Sequence, residues 1–202
     1  MALVKHNNNS ISAVTSMASL STGSMTLLQT QTASSSATID FTSGIDSTYD
    51  VYVFKFINMH PATNTALLTF QADTGTNTNY NQTMTTTVFR ANQNEADGGA
   101  ALSYRTASDQ AQGTSFQQLS QAISNDNDSG VSGELKIFSP SSGTFVKHFI
   151  SETNTAQATP DSQATYCAGY FNLTTALTRF RFKMSSGNID SGVIKLYGIK
   201  DS

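Results

Sequence analysis

The sequence predicts an all-β protein, and three observations point to that fold class. Apolar and polar residues alternate with a period of two in several segments, as in half-buried strands. Charged residues make up only 12% of the 202 residues, and the threonines among the uncharged polar residues that replace them are favoured in strands. Turn-forming Gly, Asn, Ser and Pro separate the alternating segments. About ten strands spaced in this way indicate a jelly-roll-like antiparallel β-sandwich.

One sandwich domain preceded by an arm is the expected organisation. A chain of this length suits a single β-sandwich. Residues 1–23 are rich in Asn, Ser and Thr, which are weak helix formers, so we predict an extended N-terminal arm there and the sandwich over residues 24–202. The expected assembly contacts of the arm are its apolar residues Ile11, Val14, Met17 and Leu20.

The strongest strand signal covers residues 49–58. One face of this segment carries Val51, Val53 and Ile57, and the other carries Tyr52, Phe54 and Phe56. A strand that is apolar on both faces is typically central and covered on both sides, which is the position expected for residues 49–58. The segments 66–72 and 81–90 are expected to form a hairpin across a turn at residues 73–76.

The middle of the chain, residues 91–130, is expected to be an insertion between strands. It is more polar and less regular than its surroundings, and long insertions often make contacts. Phe116, Leu119 and Ile123 have helical spacing behind the capping candidates Thr114 and Ser115, so we predict one short helix there.

Charge and hydropathy argue against nucleic-acid and membrane partners. The net charge is −3 with a pI of about 5.4, which gives no electrostatic reason to bind nucleic acid. The one dense basic cluster is Arg179, Arg181 and Lys183, which alternate with Phe180, Phe182 and Met184. This alternation favours the solvated face of one strand. No apolar stretch is long enough to span a bilayer.

Residues that could carry catalysis or hold a metal do not form a recognisable pattern. His6, His60 and His148 are scattered, without metal-ligand spacing. A nucleophile pair of Cys167 with His148 is conceivable, but nothing in the sequence supplies an orienting group. The run at residues 126–130 is interpreted as a turn, because a calcium loop starting at Asn125 would need Glu where Lys136 stands.

Paired carboxylates have two candidates, Glu95 with Asp97 and Glu134 with Glu152. The first pair lies in a loop, which is a poor scaffold for catalysis. The second lies beside lysines, and surface charge is the favoured interpretation. We therefore expect a protein that is not an enzyme and needs no cofactor or metal.

Several motifs resemble a known group of proteins. The run at residues 34–56 (SSSATIDFTSGIDSTYDVYVFKF) and the run at residues 186–200 (SGNIDSGVIKLYGIK) resemble a domain of tailed-phage structural and tail-fibre-like proteins, especially from marine and cyanobacterial phages. Residues 104–109 and 145–149 share the likeness, which extends from about Gln29 onward. The resemblance implies a virion component, assembled in the host cytoplasm, and brings no catalytic residues.

The expected function is therefore structural. We predict a multimeric head-decoration (cement) protein on the particle surface, a homotrimer that contacts other capsid or tail proteins. The alternative is a lectin-like, receptor-binding tail module that binds a host surface glycan. Its candidate stacking platforms for sugar are Tyr80, Tyr104 and Tyr166. An enzyme such as a depolymerase has the least support.

Overall fold

The computed structural model describes residues 25–157 and 161–200, which form twelve β-strands and no helix. The strands are β1 (Thr26–Ser36), β2 (Ile39–Phe41), β3 (Val51–Pro61), β4 (Leu68–Asp73), β5 (Met84–Asn94), β6 (Ala101–Tyr104), β7 (Gln117–Gln118), β8 (Val131–Phe138), β9 (Lys147–Ala156), β10 (Asp161–Phe171), β11 (Arg179–Met184) and β12 (Ile189–Ile199). The predicted arm, with Ile11, Val14, Met17 and Leu20, lies outside the described residues.

The strands form two antiparallel sheets. The large sheet has eight strands in the order β1-β12-β3-β8-β9-β10-β5-β6, and the small sheet has four in the order β2-β11-β4-β7. The all-β prediction with two antiparallel sheets is confirmed. The jelly-roll detail is not supported, because a jelly roll divides eight strands between two sheets, whereas here the large sheet alone contains eight.

Aromatic side chains fill the space between the two sheets. Phe182 of β11 contacts Phe54 and Phe56 of β3 with ring-centroid distances of 5.0 and 5.4 Å. It also contacts Phe41 of β2 at 6.1 Å and Phe70 of β4 at 6.3 Å. Most of these pairs are edge-to-face, the arrangement that the charge distribution of aromatic rings favours. Phe182 is therefore a central residue of the core that joins the sheets.

Strand β3 occupies the central position predicted for residues 49–58, between β12 and β8. Tyr52, Phe54 and Phe56 share one face, as the alternation indicates, and this face is turned to the core and buried. The expectation that both faces are covered holds only in part, because on the other face Val53 is buried but Ile57 is 40% exposed. The described residues place no second layer over that outer face of the large sheet.

The predicted helix over residues 116–123 does not form. Residues 117–118 are β7, and the segment continues extended along β4: Leu119 N–H donates to Leu68 O at 2.8 Å and Ile123 N–H to Ala66 O at 2.9 Å. Bends at residues 120 and 121 turn both Leu119 and Ile123 inward. The three- and four-residue spacing of the apolar residues reflects these bends and not a helical turn.

The expected hairpin of residues 66–72 with 81–90 is also wrong. Strand β4 belongs to the small sheet and β5 to the large sheet, so the chain crosses between layers at residues 74–83. Asp73 is buried and fixes this crossing, because its carboxylate accepts hydrogen bonds from Gly75 N–H at 2.7 Å and Tyr80 N–H at 3.2 Å. The insertion at residues 91–130 supplies β6 and β7, an edge strand for each sheet.

Candidate functional site

The outer face of the large sheet divides into two parts of different chemistry. Strands β10, β5 and β6 direct no charged side chain outward, and we call this part the uncharged half. Its outward positions are Ser162, Ala164, Tyr166, Ala168, Tyr170, Thr85, Thr87, Phe89, Ala91, Gln93, Leu102 and Tyr104. Strands β8, β3 and β12, which β9 separates from the uncharged half, form the charged half, with outward Glu134, Lys136, Lys55 and Lys195.

Large apolar side chains are exposed on the uncharged half and at its border. Phe89 is 42% exposed, Tyr104 53% and Leu102 75%, and Ile150 of the adjacent β9 is 52% exposed. The register makes these positions continuous, because Ala168 pairs with Ile150 on one side and with Thr87 on the other. A single exposed apolar residue is ordinary, but a continuous apolar surface is typical of an interaction site.

A cross-strand row of aromatic rings crosses the uncharged half. Tyr166 pairs with Phe89, and Phe89 pairs with Tyr104. The rings of Phe89 and Tyr166 are stacked, with centroids 4.8 Å apart and planes inclined by 13°. The Tyr104 hydroxyl donates to Asp109 Oδ2 at 2.5 Å, and this bond raises the pKa of Tyr104. Sequence reasoning did not identify Phe89, the residue between the two tyrosines.

The three candidate sugar-stacking tyrosines occupy different environments. Tyr80 is 2% exposed and lies under the Arg181 guanidinium, whose carbon is 4.0 Å from the ring centroid, so its ring is not available to a ligand. Tyr166 has one ring face covered by Phe89. Tyr104 keeps about half of its surface exposed, so it alone of the three presents an open ring.

The basic cluster on β11 is more tightly held than a solvated face. Arg181 donates to both carboxylate oxygens of Asp40 on β2, at 2.8 and 2.6 Å, which raises the pKa of the guanidinium. Lys183 lies over the ring of Phe116, with Nζ 4.3 Å from the centroid. Arg181 and Lys183 are therefore each engaged by a neighbouring side chain on the outer surface of the small sheet, and the Arg181–Asp40 pair stays partly exposed.

Glu134 in the charged half is held by two lysines. Lys136 Nζ lies 2.6 Å from Oε1 and Lys55 Nζ lies 2.9 Å from Oε2, and these partners lower the pKa of Glu134. Glu152 lies directly opposite Glu134 across the β8–β9 pair, and a hydrogen bond with Glu152 and its charge raise the pKa of Tyr166. The carboxylate pair named from the sequence is thus brought together, with both members already engaged.

Replacing Glu134 with glutamine should lower the stability at neutral pH by about 0.5 kcal/mol, since the pairs are partly exposed to water. A carboxylate whose pKa falls on folding stabilises the protein above its unfolded-state pKa, and this contribution is lost as the pH falls through the folded-state pKa. The difference in urea-unfolding stability between E134Q and the wild type should therefore be larger at pH 7 than at pH 3. The exposed loop variant E95Q is the control, and an equal difference at both pH values would contradict the prediction.

The cysteine and histidine named from the sequence do not meet. Cys167 is buried and faces the core, and burial raises the pKa of its thiol to about 12. His148 is on the opposite face of the sheet, exposed beside Tyr170. His60 Nδ1 lies 2.8 Å from Ser129 O. Within residues 25–157 and 161–200, no three His, Cys, Asp or Glu side chains form a metal-binding group.

Lys147 is a buried cation that sequence reasoning missed. Its ammonium donates to Phe145 O at 2.6 Å, Thr174 O at 3.2 Å and Leu173 O at 3.4 Å, and burial lowers its pKa. These bonds join the loop before β9 to the loop after β10. The sequence does indicate this burial, because Lys147 is two residues before Phe149 and therefore lies on the same inward face of β9.

Because comparison with known proteins gives no match, a proposal of function depends on the fold and the surface of this chain. No family model, no curated protein and no solved structure matches the chain. In the described part of the chain, no helix has the length and apolar character needed to cross a bilayer.

Proposed function

We propose that the protein is a structural component of a tailed-phage particle, a head-decoration protein that attaches through the uncharged half of its large sheet. The observation that supports this proposal is the pattern of that surface. Twelve outward positions on β10, β5 and β6 carry no charge, and exposed Phe89, Tyr104 and Leu102 lie among them. Aromatic residues are enriched and charged residues depleted at the centres of protein interfaces.

The motifs that resemble phage structural proteins occupy positions that build the fold. The Tyr52 hydroxyl donates to Asp46 O at 3.0 Å and accepts from Asp46 N–H at 2.9 Å, which closes the turn before β3. The ring of Tyr49 packs so closely on Gly198 of β12 that a Cβ there would overlap it. The resembling runs thus meet in the β1-β12-β3 part of the large sheet.

A protein contact fits the uncharged half better than a glycan. Sugar stacking needs an open ring face, whereas Phe89 and Tyr166 cover each other. Leu102 and Ile150 are aliphatic and among the most exposed large side chains of the described residues. Aliphatic side chains gain from burial against another apolar surface. The alternative, a lectin-like tail module, depends on Tyr104 alone.

Adding charge to the uncharged half and to its border on β9 should greatly weaken particle attachment. In the double variant I150E/L102E, association would bury two unpaired carboxylates, so binding to capsids lacking the protein should weaken at least about 100-fold. Sedimentation of capsids with added protein measures this binding. The control is F145E, because Phe145 is 70% exposed in the loop before β9 and lies outside the uncharged half.

Three results would contradict the proposal. One is equal capsid binding by I150E/L102E and the wild type. Another is absence of the protein from purified capsids that have been stripped of tails. The third is retention of host polysaccharide by the wild type together with its loss in Tyr104→Ala, which would favour the tail module.

A further inference from the structure

We propose that β1 pairs antiparallel with β1 of a second copy of this chain, so that two large sheets join into one across a two-fold axis. Strand β1 is at the end of the large sheet and pairs only with β12. Its eleven residues, TLLQTQTASSS, contain neither a charged residue nor a proline. An edge strand without these features offers its unpaired backbone groups to another strand.

The described residues leave most of the outer edge of β1 without a backbone partner, and the Ser34 N–H donates to Ser36 Oγ at 3.1 Å. Residues 26–34 make no backbone–backbone hydrogen bond beyond the β12 ladder within the described parts of the chain. A bulge between Leu27 and Gln29 interrupts the start of the strand, and the ladder from Gln29 to Ser34 is then regular. Six regular residues match the usual length of a strand.

The composition of β1 favours a second copy as its occupant. Of the described strands with six or more residues, β1 alone has no charged side chain. In a two-fold antiparallel pair each strand faces its own sequence, so any charge near the axis would meet its like. The absence of charge removes this repulsion.

The other free edge of the large sheet does not offer an equivalent partner. Strand β6 has only four residues, too few to pair along the length of β1. Pairing of β1 with β6 of the next copy would also be head-to-tail. Each addition would leave a new unpaired edge at the end of the assembly, so the assembly would not close. The isologous β1–β1 pair closes after two copies and satisfies the same backbone groups on both.

Light scattering on the full chain tests this pairing directly. The wild type should have twice the 21.6 kDa mass of one chain, and T32K/S34K should have the mass of one chain at the same concentration. Thr32 and Ser34 are exposed on β1, where lysine blocks edge pairing. The matched control N127K/T144K adds the same charge to exposed loops and should stay dimeric.

Hydrogen exchange gives a readout that needs no variant. The outward-facing amides among residues 29–34 in the wild type should exchange more slowly as protein concentration rises, because pairing protects them, whereas the amides that donate to β12 are protected at any concentration. A wild-type monomer, whose edge is open or covered by its own residues 1–24, would overturn the proposal. The homotrimer predicted from the sequence is incompatible with this pairing and would overturn it, and so would a dimer without concentration-dependent protection of β1. I150E/L102E should remain dimeric, so loss of capsid binding and loss of pairing are separate results.

Discussion

Replacing Phe182 with alanine should lower the free energy of unfolding by about 3–5 kcal/mol. The ring is fully buried and contacts Phe41, Phe54, Phe56 and Phe70. These four rings come from β2, β3 and β4, so no single neighbour can move to fill the space. The cost therefore combines the lost transfer of the ring from water with a cavity between two sheets.

Urea unfolding followed by tyrosine fluorescence or far-ultraviolet circular dichroism measures this effect. Because the net stability of a domain of this kind is about 5–15 kcal/mol, F182A should unfold at a much lower urea concentration than the wild type. The control I150A removes a side chain that is half exposed on the outer face, and it should change the stability by less than about 1 kcal/mol. Similar losses in both variants would contradict the central position of Phe182.

Replacing Gly133 with alanine should destabilise the protein by about 2–3 kcal/mol. Gly133 pairs with Phe56 of β3 on one side and with Thr153 of β9 on the other. A Cβ at Gly133 would overlap Glu152 O and lie 2.6 Å from Thr153 Cα, and its φ of +157° lies beyond the range that side chains readily adopt. Both obstacles are backbone atoms, so β9 itself must move.

The matched control for this prediction is Gly143→Ala, in the loop before β9. A Cβ at Gly143 meets no atom within 4 Å, so G143A should be as stable as the wild type or slightly more stable. Thermal unfolding of the two variants gives the comparison. If G133A and G143A unfold at the same temperature, the close approach of β8 and β9 at Gly133 is not a constraint on the sequence.

Strands with a clean alternation were predictable from the sequence. The division of β3 and β11 into two faces follows from the period of two, because burying one face of a sheet requires it. Phe180 and Phe182 point inward, as their alternation with the basic residues predicts. For β3 the alternation places Tyr52, Phe54 and Phe56 on one face, but only the structure shows that this face is turned to the core. This information is local, since each residue's face depends only on its parity within its own strand.

Sheet membership was not predictable in the same way. Strands β4 and β5 are consecutive, yet they lie in different layers, and the crossing depends on the buried carboxylate of Asp73. Leu119 and Ile123 show helical spacing while they extend along β4, because bends can reproduce that spacing. Short apolar patterns do not separate a helix from an irregular extended segment.

The candidate surface was predictable from the sequence only in part. The alternation within β10 and β5 was enough to identify their uncharged outward positions. In the same way, the alternation within β9 was enough to place Lys147 on the inward face. What the sequence does not show is that β10, β5 and β6 are neighbours, because the pairs join residues as distant as Thr85 and Tyr170. The burial of Tyr80 also depends on a distant partner, Arg181.

The position of β12 constrains the order in which the strands of the large sheet can pair. It is the last strand in the described part of the chain, and it lies between β1 and β3, which precede it by more than a hundred residues. During synthesis β1 therefore has no neighbouring strand in the large sheet until residues 189–199 have been made. Pairing between strands so distant in sequence is slow. Until β12 has been made, the edges of β1 and β3 with which it pairs are unpaired and open to other chains. Premature termination before residue 189 would thus yield a product prone to aggregation.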